Sequence, residues 1–464
     1  MRIAFAVKKY FSQLTYSIVF LLTAQYLFSQ PIYTANVYSK NPKGYYFLYT
    51  YKVSKEPHVP AKEYQMILDA KGRIVYFKNF PGSSDFRLQS NGLAYYYISN
   101  KSGANFYIID SAFKTIDTIA CRNGIFTDGH DFQILPDGHY LLLGYETVTM
   151  DLSKYKMFLK RNIPGSSHAQ VKCNVIQELD KNKNVVFEWH AKDYFQFDDI
   201  DNFFIDDSQN VDWTHFNSVD MDKDGNLLVS SKHFNQVIKI NHHDSSIIWR
   251  MGGKRNQFRF INDSIPFLAP HDVRRIKNGN ITLLDNGYGD SSHIHPARAL
   301  EYNIDERNKT TFLKWSYVRK PEIFSSGTGN VQRLKNGNTL VNFGRVLNDS
   351  NNILFEVIKS SGEKVFDIRF ADTLVTYRGF YYPSLPWKLD RPEIKYYRSG
   401  KDHYLDAGSG HSSYRWPNGD TTQTIKITTA GNYYVYVPKG EGGFISSQIF
   451  TVSDKLYKRK VIPK

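Results

Sequence analysis

The sequence predicts an all-β chain, a six-bladed β-propeller followed by a small β-sandwich, and three observations carry that prediction. Aromatic residues make up 15% of the 464 residues, with 33 Tyr and 32 Phe, an enrichment that suits strands packed on one face and wet on the other. Short apolar runs joined by Asp-Gly or Asn-Gly recur along the chain, and these dipeptides tolerate the positive φ values that a tight hairpin turn demands. No amphipathic helices of ordinary length alternate with the runs, which disfavours a parallel α/β sheet. With 41% hydrophobic and 22% charged residues, the composition excludes wholesale disorder, collagen and coiled coil.

Two kinds of hairpin alternate. The first kind is read in HDFQILPDGHYLLLG from His130, HFNSVDMDKDGNLLVSS from His215, HDVRRIKNGNITLLDNG from His271 and GNVQRLKNGNTLVNFG from Gly329, with a degenerate copy, FRLQSNGLAYYYIS, from Phe86. The second kind is YQMILDAKGRIVYF from Tyr64, YIIDSAFKTIDTI from Tyr107, NVIQELDKNKNVVFEW from Asn174, QVIKINHHDSSIIWRMGG from Gln236, RALEYNIDERNKTTFLKW from Arg298 and LFEVIKSSGEKVFDI from Leu354. One hairpin of each kind supplies four strands, the content of one propeller blade. Six copies of the second kind therefore predict six blades between about Asn36 and Trp387, in a domain spanning 31–388. GYYFLYTYK near Gly44 opens the first blade, and a strand near Tyr381 closes the ring. The acidic and aromatic stretch from His190 to Trp213 interrupts the pattern and is expected as a helical insert or a loop over the channel. After Trp387 the pattern changes, and LDAGSGHSSYRWPNGDTTQTIKITTAGNYYVYV predicts a sandwich at 391–455. That segment resembles the immunoglobulin-like modules appended to secreted and surface proteins of Bacteroidetes-type bacteria.

Arg2, Lys8 and Lys9, an apolar run from about Tyr16 to Phe28 and a cleavage point at Phe28-Ser29-Gln30 read as a signal peptide over residues 1–30. The run is shorter than the roughly 20 residues of a spanning helix, so a secreted, periplasmic or envelope protein with no transmembrane segment after cleavage is expected. The formal net charge is +14, but Lys and Arg are scattered apart from a basic tail (456–464) around Lys455, Lys458, Arg459 and Lys460. That scatter argues against nucleic acid as a partner and suits an anionic small substrate or a surface polyanion. Cys121 and Cys173 are compatible with a disulfide and equally with two ordinary thiols.

Three hairpins of the first kind begin with histidine, at His130, His215 and His271, and equivalent positions of successive blades lie at one height around the axis. Convergence of the three imidazoles makes a site, with Trp213, Asn217, Asp131 and Asp272 flanking them as candidates to orient the rings. Two further patterns carry no chemistry. Asp220, Asp222, Asp224 and Gly225 imitate the start of a calcium loop, but Ser231 stands where its bidentate Glu belongs. Gly252-Gly253 lacks the strand-to-helix context of a phosphate loop and reads as a tight turn.

DWTHFNSVDMDKDGNLLVSSKHFNQVIKI, IIWRMGG, FLAPHDVRRI, NITLLDNG and ARALEYNID, strongest from Trp213 to Asp305, resemble the arylsulfotransferase family. The resemblance implies a six-bladed propeller outside the cytoplasm that moves a sulfuryl group from an aryl sulfate donor to a phenolic acceptor without a nucleotide sulfate, and with no cofactor or metal. It implies that His271 in APHD is the nucleophile, with His215 in THFNS and His130 in GHDF as further catalytic residues. Where the family has Ser-Ser-Arg-His, this chain has Ser230-Ser231-Lys232-His233, so Lys232 takes the place of the anion-binding Arg. An ammonium is a point charge where a guanidinium is a planar fork of donors. Arg250 and Arg298 lie near the motifs and read as solvated edge residues. Two other readings use the same histidines: a metal-dependent hydrolase or lyase with three imidazoles on zinc, and a non-catalytic ligand-binding propeller.

Overall fold

Strands dominate because the apolar, β-branched and aromatic runs are short and end at turn residues. The computed structural model describes residues 31–52, 63–100, 103–157, 163–205, 209–290, 292–347, 353–370 and 374–454. The expected signal peptide and basic tail lie outside the described residues. Among the described residues, six antiparallel sheets of at least four strands follow one another, numbered I to VI here. Sheet I pairs Leu374–Tyr382, Tyr45–Lys52, Tyr64–Asp69 and Ile74–Asn79. Sheet II holds Ser83–Leu88, Ala94–Asn100, Gly103–Ile109 and Thr115–Ile119, and sheet III holds Phe126–Ile134, Tyr140–Met150, Ala169–Leu179 and Val185–His190. Sheet IV is Phe216–Met221, Leu227–Ser231, Gln236–Ile240 and Ile247–Met251. Sheet V runs His271–Arg275, Ile281–Asp285, Arg298–Asp305 and Thr310–Val318, with Arg259–Ile261 parallel at its edge. Sheet VI is Asn330–Arg333, Thr339–Asn342, Ile353–Ile358 and Lys364–Phe370.

Burial follows position in the sheet. Leu227–Ser231 and Gln236–Ile240, in the middle of sheet IV, are buried along their whole length, whereas the outer strands Thr115–Ile119 and Thr310–Val318 alternate toward solvent. Middle strands covered on both faces mean that sheets stack on one another. The turn residues behave as their chemistry requires: Gly92, Gly138, Gly225, Gly279 and Gly337 have φ between 79° and 92°. The first strands of the sheets touch in the order I, II, III, IV, V, VI and back to I. Tyr381, in the last of these first strands, pairs with Tyr46, so the two ends of the sheet region meet in sheet I.

Three features go beyond the sequence reading. Tyr33–Val37 adds a fifth strand to the outer edge of sheet VI, with Tyr33 opposite Phe370, and no hairpin of either kind announces it. The segment from His190 to Trp213 forms three short 3-10 turns, Ala191–Asp193, Phe197–Asp199 and Asn202–Phe204, then Asn210–Asp212 parallel to Ala169–Leu179. Phe195, Phe197, Ile200 and Phe204 bury it against Trp189, Trp213 and Phe234, so it is a packed element with its own core contacts.

The C-terminal segment builds a core around Leu405, Trp416, Ile425, Val435 and Ile445. It is also joined to sheet I. Gly443–Ser446 pairs with Ile74–Asn79, placing Phe444 opposite Phe77, and Ser446 Oγ donates to the carbonyl of Ile74 at 2.6 Å. Ile74–Asn79 is apolar and buried, and an unpaired edge of that kind must be covered. Both cysteines are free thiols: Cys121 is half-buried and Cys173 buried.

Candidate active site

First strands of sheets II to V each carry a register irregularity, the device by which a strand re-aims a side chain. His130 and His271 each stand eight residues before their turn glycine, Gly138 and Gly279. Eight residues before Gly225 stands Asn217, and His215 lies two residues earlier. The three histidines therefore do not share one equivalent position, contrary to the expectation. His215 enters from just ahead of strand Phe216–Met221, with a left-handed φ of 41°.

The structure nevertheless gathers all four expected residues. The rings of His130 and His215 meet edge to face with centroids 5.0 Å apart, and His233 stacks on His215 at 4.3 Å. Lys232, in the turn after Leu227–Ser231, holds Nζ 5.5 Å from the centre of the Phe204 ring and 5.9 Å from that of Tyr288. A Cβ on Gly327 would lie 3.3 Å from Lys232 Nζ and 3.6 Å from His271 Cε1, so that glycine lets the ammonium and the imidazole border the same space.

Each imidazole is oriented through Nδ1. His130 bonds to Asp128, His215 to Asp212 Oδ2 at 2.5 Å, and His271 to the carbonyl of Ala269 at 2.9 Å. Acceptors at Nδ1 hold a proton there, and at His271 and His215 this leaves Nε2 as the lone pair of a neutral ring. At His271 that assignment is supported from the other side, because the amide N–H of Thr328 donates to Nε2 at 3.0 Å. Burial pushes the His271 and His215 imidazoles well below their ordinary pKa, and the Lys232 ammonium adds to the effect at both. Burial alone would raise the Asp128 carboxyl, but His130 and Lys172 bring it down to about 2. Lys172 is a further cation at this end: burial opposes its charge, and Asp128 and Asp212 outweigh it to raise its pKa.

Beneath the histidines the axis is filled by ions. Asp131 accepts from Arg87 Nη2 at 2.6 Å and Arg274 Nη2 at 2.7 Å, and it lies 3.3 Å from Arg378 Nη1. Arg378 also donates to the carbonyls of His130 and Asn217 at 2.8 and 2.7 Å and contacts Asp272 at 2.9 Å. This layer supports the site from sheet I, whose first strand also places Tyr377 5.8 Å from the His130 ring.

Several expected partners do other work. Asp131 and Asp272 hold arginines and not imidazoles, because guanidinium forks fill the axis at their level. Trp213 is fully buried and stacks on Phe197, so it packs the core. Asn217 does bear on the site: its Nδ2 donates at 2.8 Å to the carbonyl of Pro270, next to His271. Neither Arg250 nor Arg298 is a solvated edge residue. Arg250 is tied to Asp199 and the carbonyl of Tyr194 in the 190–213 segment, and Arg298 is buried between Asp285 and Asp263. Asp222 and Asp224 are taken by Arg275 and Lys239. Gly252 and Gly253 make a close turn, with φ of 85° and 62°, against the carbonyls of Asn235 and Phe234.

Sequence reasoning missed Asp128, Asp212, Lys172, His233, Thr328 and Tyr377. A carboxylate two residues before His130 and three before His215 was a usable clue to the first two. Thr328 and Tyr377 had none, since their sheets bring no histidine. Asp212, His215 and His233 place possible metal-ligating atoms within 4.8 Å of one another. However, the two rings are stacked at an interplanar angle of 25°, so their in-plane lone pairs run side by side and do not converge on one ion.

An all-β chain that gathers oriented imidazoles and lysines at one end of its inner strands has the kinds of group that nucleophilic transfer chemistry uses. The arylsulfotransferase (ASST) family model matches residues 30–380, and the chain belongs to that family. Its general activity is aryl sulfotransfer, on small-molecule aryl substrates. No curated protein matches the chain. Among solved structures it is similar to a protein of unknown function from Bacteroides caccae, at 12% identity over 74% of this chain and 100% of that one, with a TM-score of 0.45. It is also similar to the periplasmic gluconolactonase of Pseudomonas aeruginosa, at 11% identity over 88% and 99% of the two chains, TM-score 0.36. The β-propeller domain of a Myceliophteria thermophila protein matches at 8% identity over 81% and 96%, TM-score 0.36. No helix among the described residues is long and apolar enough to cross a membrane.

Proposed function

We propose that the chain is a six-bladed propeller enzyme that moves a sulfuryl group from an aryl sulfate ester to a phenol through a sulfated His271, independently of a nucleotide sulfate donor. A closed cycle of six sheets is what six blades produce. The N-terminal basic and apolar pattern supports export through a signal peptide to the periplasm, envelope or medium, and the C-terminal segment is assigned as an Ig-like module.

The observation that carries the reading is the fixed tautomer of His271, with Nδ1–H committed to Ala269 and the Nε2 lone pair beside Lys232. A neutral imidazole is a competent nucleophile without a base. In the first half-reaction Nε2 leaves the Thr328 amide and attacks sulfur, the bond from sulfur to the aryl oxygen breaks, and the departing phenolate takes a proton from His130. Asp128, ionised beside His130, stabilises the imidazolium that gives that proton. Lys232 and the freed Thr328 N–H face the sulfuryl oxygens, where charge is spread in a loose transition state. In the second half-reaction the acceptor phenol returns its proton to His130, its oxygen takes the sulfuryl group, and the bond between sulfur and Nε2 breaks. His215, neutral with Nδ1–H on Asp212, offers a lone pair and so orients the acceptor hydroxyl.

Transfer from a chromogenic aryl sulfate to a phenol tests this. The wild type turns over and His271→Ala falls to background; equal rates in both, or no turnover across varied phenols, would overturn the reading.

A further inference from the structure

A cleft with an excess of positive charge opens where the C-terminal segment meets sheet I, at the Tyr382 end of that sheet's first strand, away from Tyr377 and the histidines. The turn from Asp69 to Arg73 borders it, with Asp69 opposite Tyr45 and Tyr45 opposite Tyr382. Two cavities, of about 260 and 580 Å³, share Lys71, Arg73 and Arg391 in their walls. Tyr33 and Tyr434 border the smaller, and Lys43, Tyr45, Trp387 and Lys388 the larger. The one carboxylate among the described lining residues is Asp69, and it is taken: Arg73 Nε donates to Oδ2 at 2.7 Å, and the amides of Lys71 and Arg73 donate to Oδ1. Lys43, Lys71, Lys388 and Arg391 form no ion pair among the described residues.

Arg391 is held by neutral acceptors alone. Its Nε donates to the Ser446 carbonyl at 2.7 Å, and Nη2 to Ser446 Oγ at 2.8 Å and to the Ser447 carbonyl, while Nη1 has no acceptor among the described residues. Burial opposes the charge on Arg391, Asp69 offsets part of that and Arg73 adds to it, leaving its pKa below the ordinary guanidinium value. A half-buried cation fixed in place without a counter-ion is stabilised by an anion brought to it.

We propose that this cleft binds an acidic carbohydrate chain, with the carboxylate or sulfate ester of one sugar on Arg391 and further units along Lys71 and Lys388. A guanidinium fork matches the paired oxygens of either group. Half-buried tyrosine and tryptophan rings beside these cations offer an apolar surface to the C–H face of a sugar ring and polar tips to its hydroxyls. Cavities that adjoin through shared walls suit a chain of units over a single small anion. Nucleic acid fits less well, because a duplex needs an extended basic track and these cations are confined to one cleft. A glycan bound here does not cover the histidines, so the site stands or falls independently of sulfuryl transfer.

Calorimetric titration of the full chain with hexagalacturonate, which carries carboxylates, and with a dextran sulfate oligomer of similar length, which carries sulfate esters, tests the site; maltohexaose is the uncharged control. At least one acidic oligomer should bind saturably, one per chain and more weakly as salt rises, whereas maltohexaose does not bind. The double substitution Lys71→Glu with Lys388→Glu and, separately, Arg391→Ala should each weaken binding on the order of tenfold or more. Lys71 and Lys388 are exposed, so the lysine variant should melt as the wild type does and keeps the test open should Arg391→Ala fail to fold. Absence of binding by both acidic oligomers overturns the proposal. So does an affinity unchanged in the lysine variant, or a single-stranded oligodeoxynucleotide that binds as tightly as the better oligomer.

Discussion

In the proposed reaction the His271 imidazole and the Lys232 ammonium, which border one glycine, set the pH behaviour of the site. Because burial and Lys232 both disfavour the protonated form of His271, its neutral form persists below the ordinary imidazole pKa of about 6.5. The acid limb of kcat/KM is expected below that value, and Lys232→Ala should move it to higher pH, since removing a cation makes protonation easier. A limb that stays in place or moves down in the variant contradicts the assignment. Asp128→Asn leaves the His130 ring a neutral partner in place of a carboxylate, and turnover should fall about 10²-fold with KM little changed, measured by steady-state kinetics. At this scale His130, His215, His271 and Lys232 were legible because each sits in a motif. Thr328 and Tyr377 were not, since they reach the site by ring geometry that brings residues 57 and 247 positions away beside His271 and His130.

Individual strands owe their position to polar anchors on the axis as much as to apolar packing. Asp131 joins sheets I, II, III and V through Arg378, Arg87 and Arg274, and it also accepts the Val219 amide of sheet IV at 2.9 Å. Asp131→Ala removes the carboxylate that three guanidinium groups share, although Arg274 and Arg378 keep Asp272, and unfolding in urea should show a loss of about 3 kcal/mol. Burial alone would raise the Asp131 carboxyl, but Arg274, Arg378 and Arg87 hold it far below the usual carboxylate range. Its contribution is thus full above about pH 4 and is lost as pH falls toward the depressed folded value. The hairpins that carry these anchors were plain in the sequence, because Asp-Gly and Asn-Gly turns punctuate them. The hub was not. Asp131 and Asp272 follow histidines and read as their partners, while Arg87, Arg274 and Arg378 look like ordinary surface residues until sheets from both ends of the chain are brought together.

Across the molecule, closure depends on segments from the two ends of the sheet region. Leu374–Tyr382 supplies the first strand of sheet I together with Arg378, so a chain ending before residue 374 should not fold, as read by circular dichroism and tryptophan fluorescence. A chain ending at residue 390 keeps that strand but uncovers Ile74–Asn79 and the Phe77 ring that packs on Tyr436 and Phe444; size-exclusion chromatography should show self-association. Alternation of two hairpin kinds made the sheet order readable, including the closing strand at Tyr381. The attachment of the C-terminal segment was not readable, because strand pairing across about 370 residues leaves no local trace. Mass analysis of the protein after brief exposure to an aryl sulfate tests the central claim most directly. The peptide bearing His271 should carry a sulfuryl group that added phenol discharges and that His271→Ala lacks; an unmodified His271 peptide, or sulfation at another residue, would contradict it.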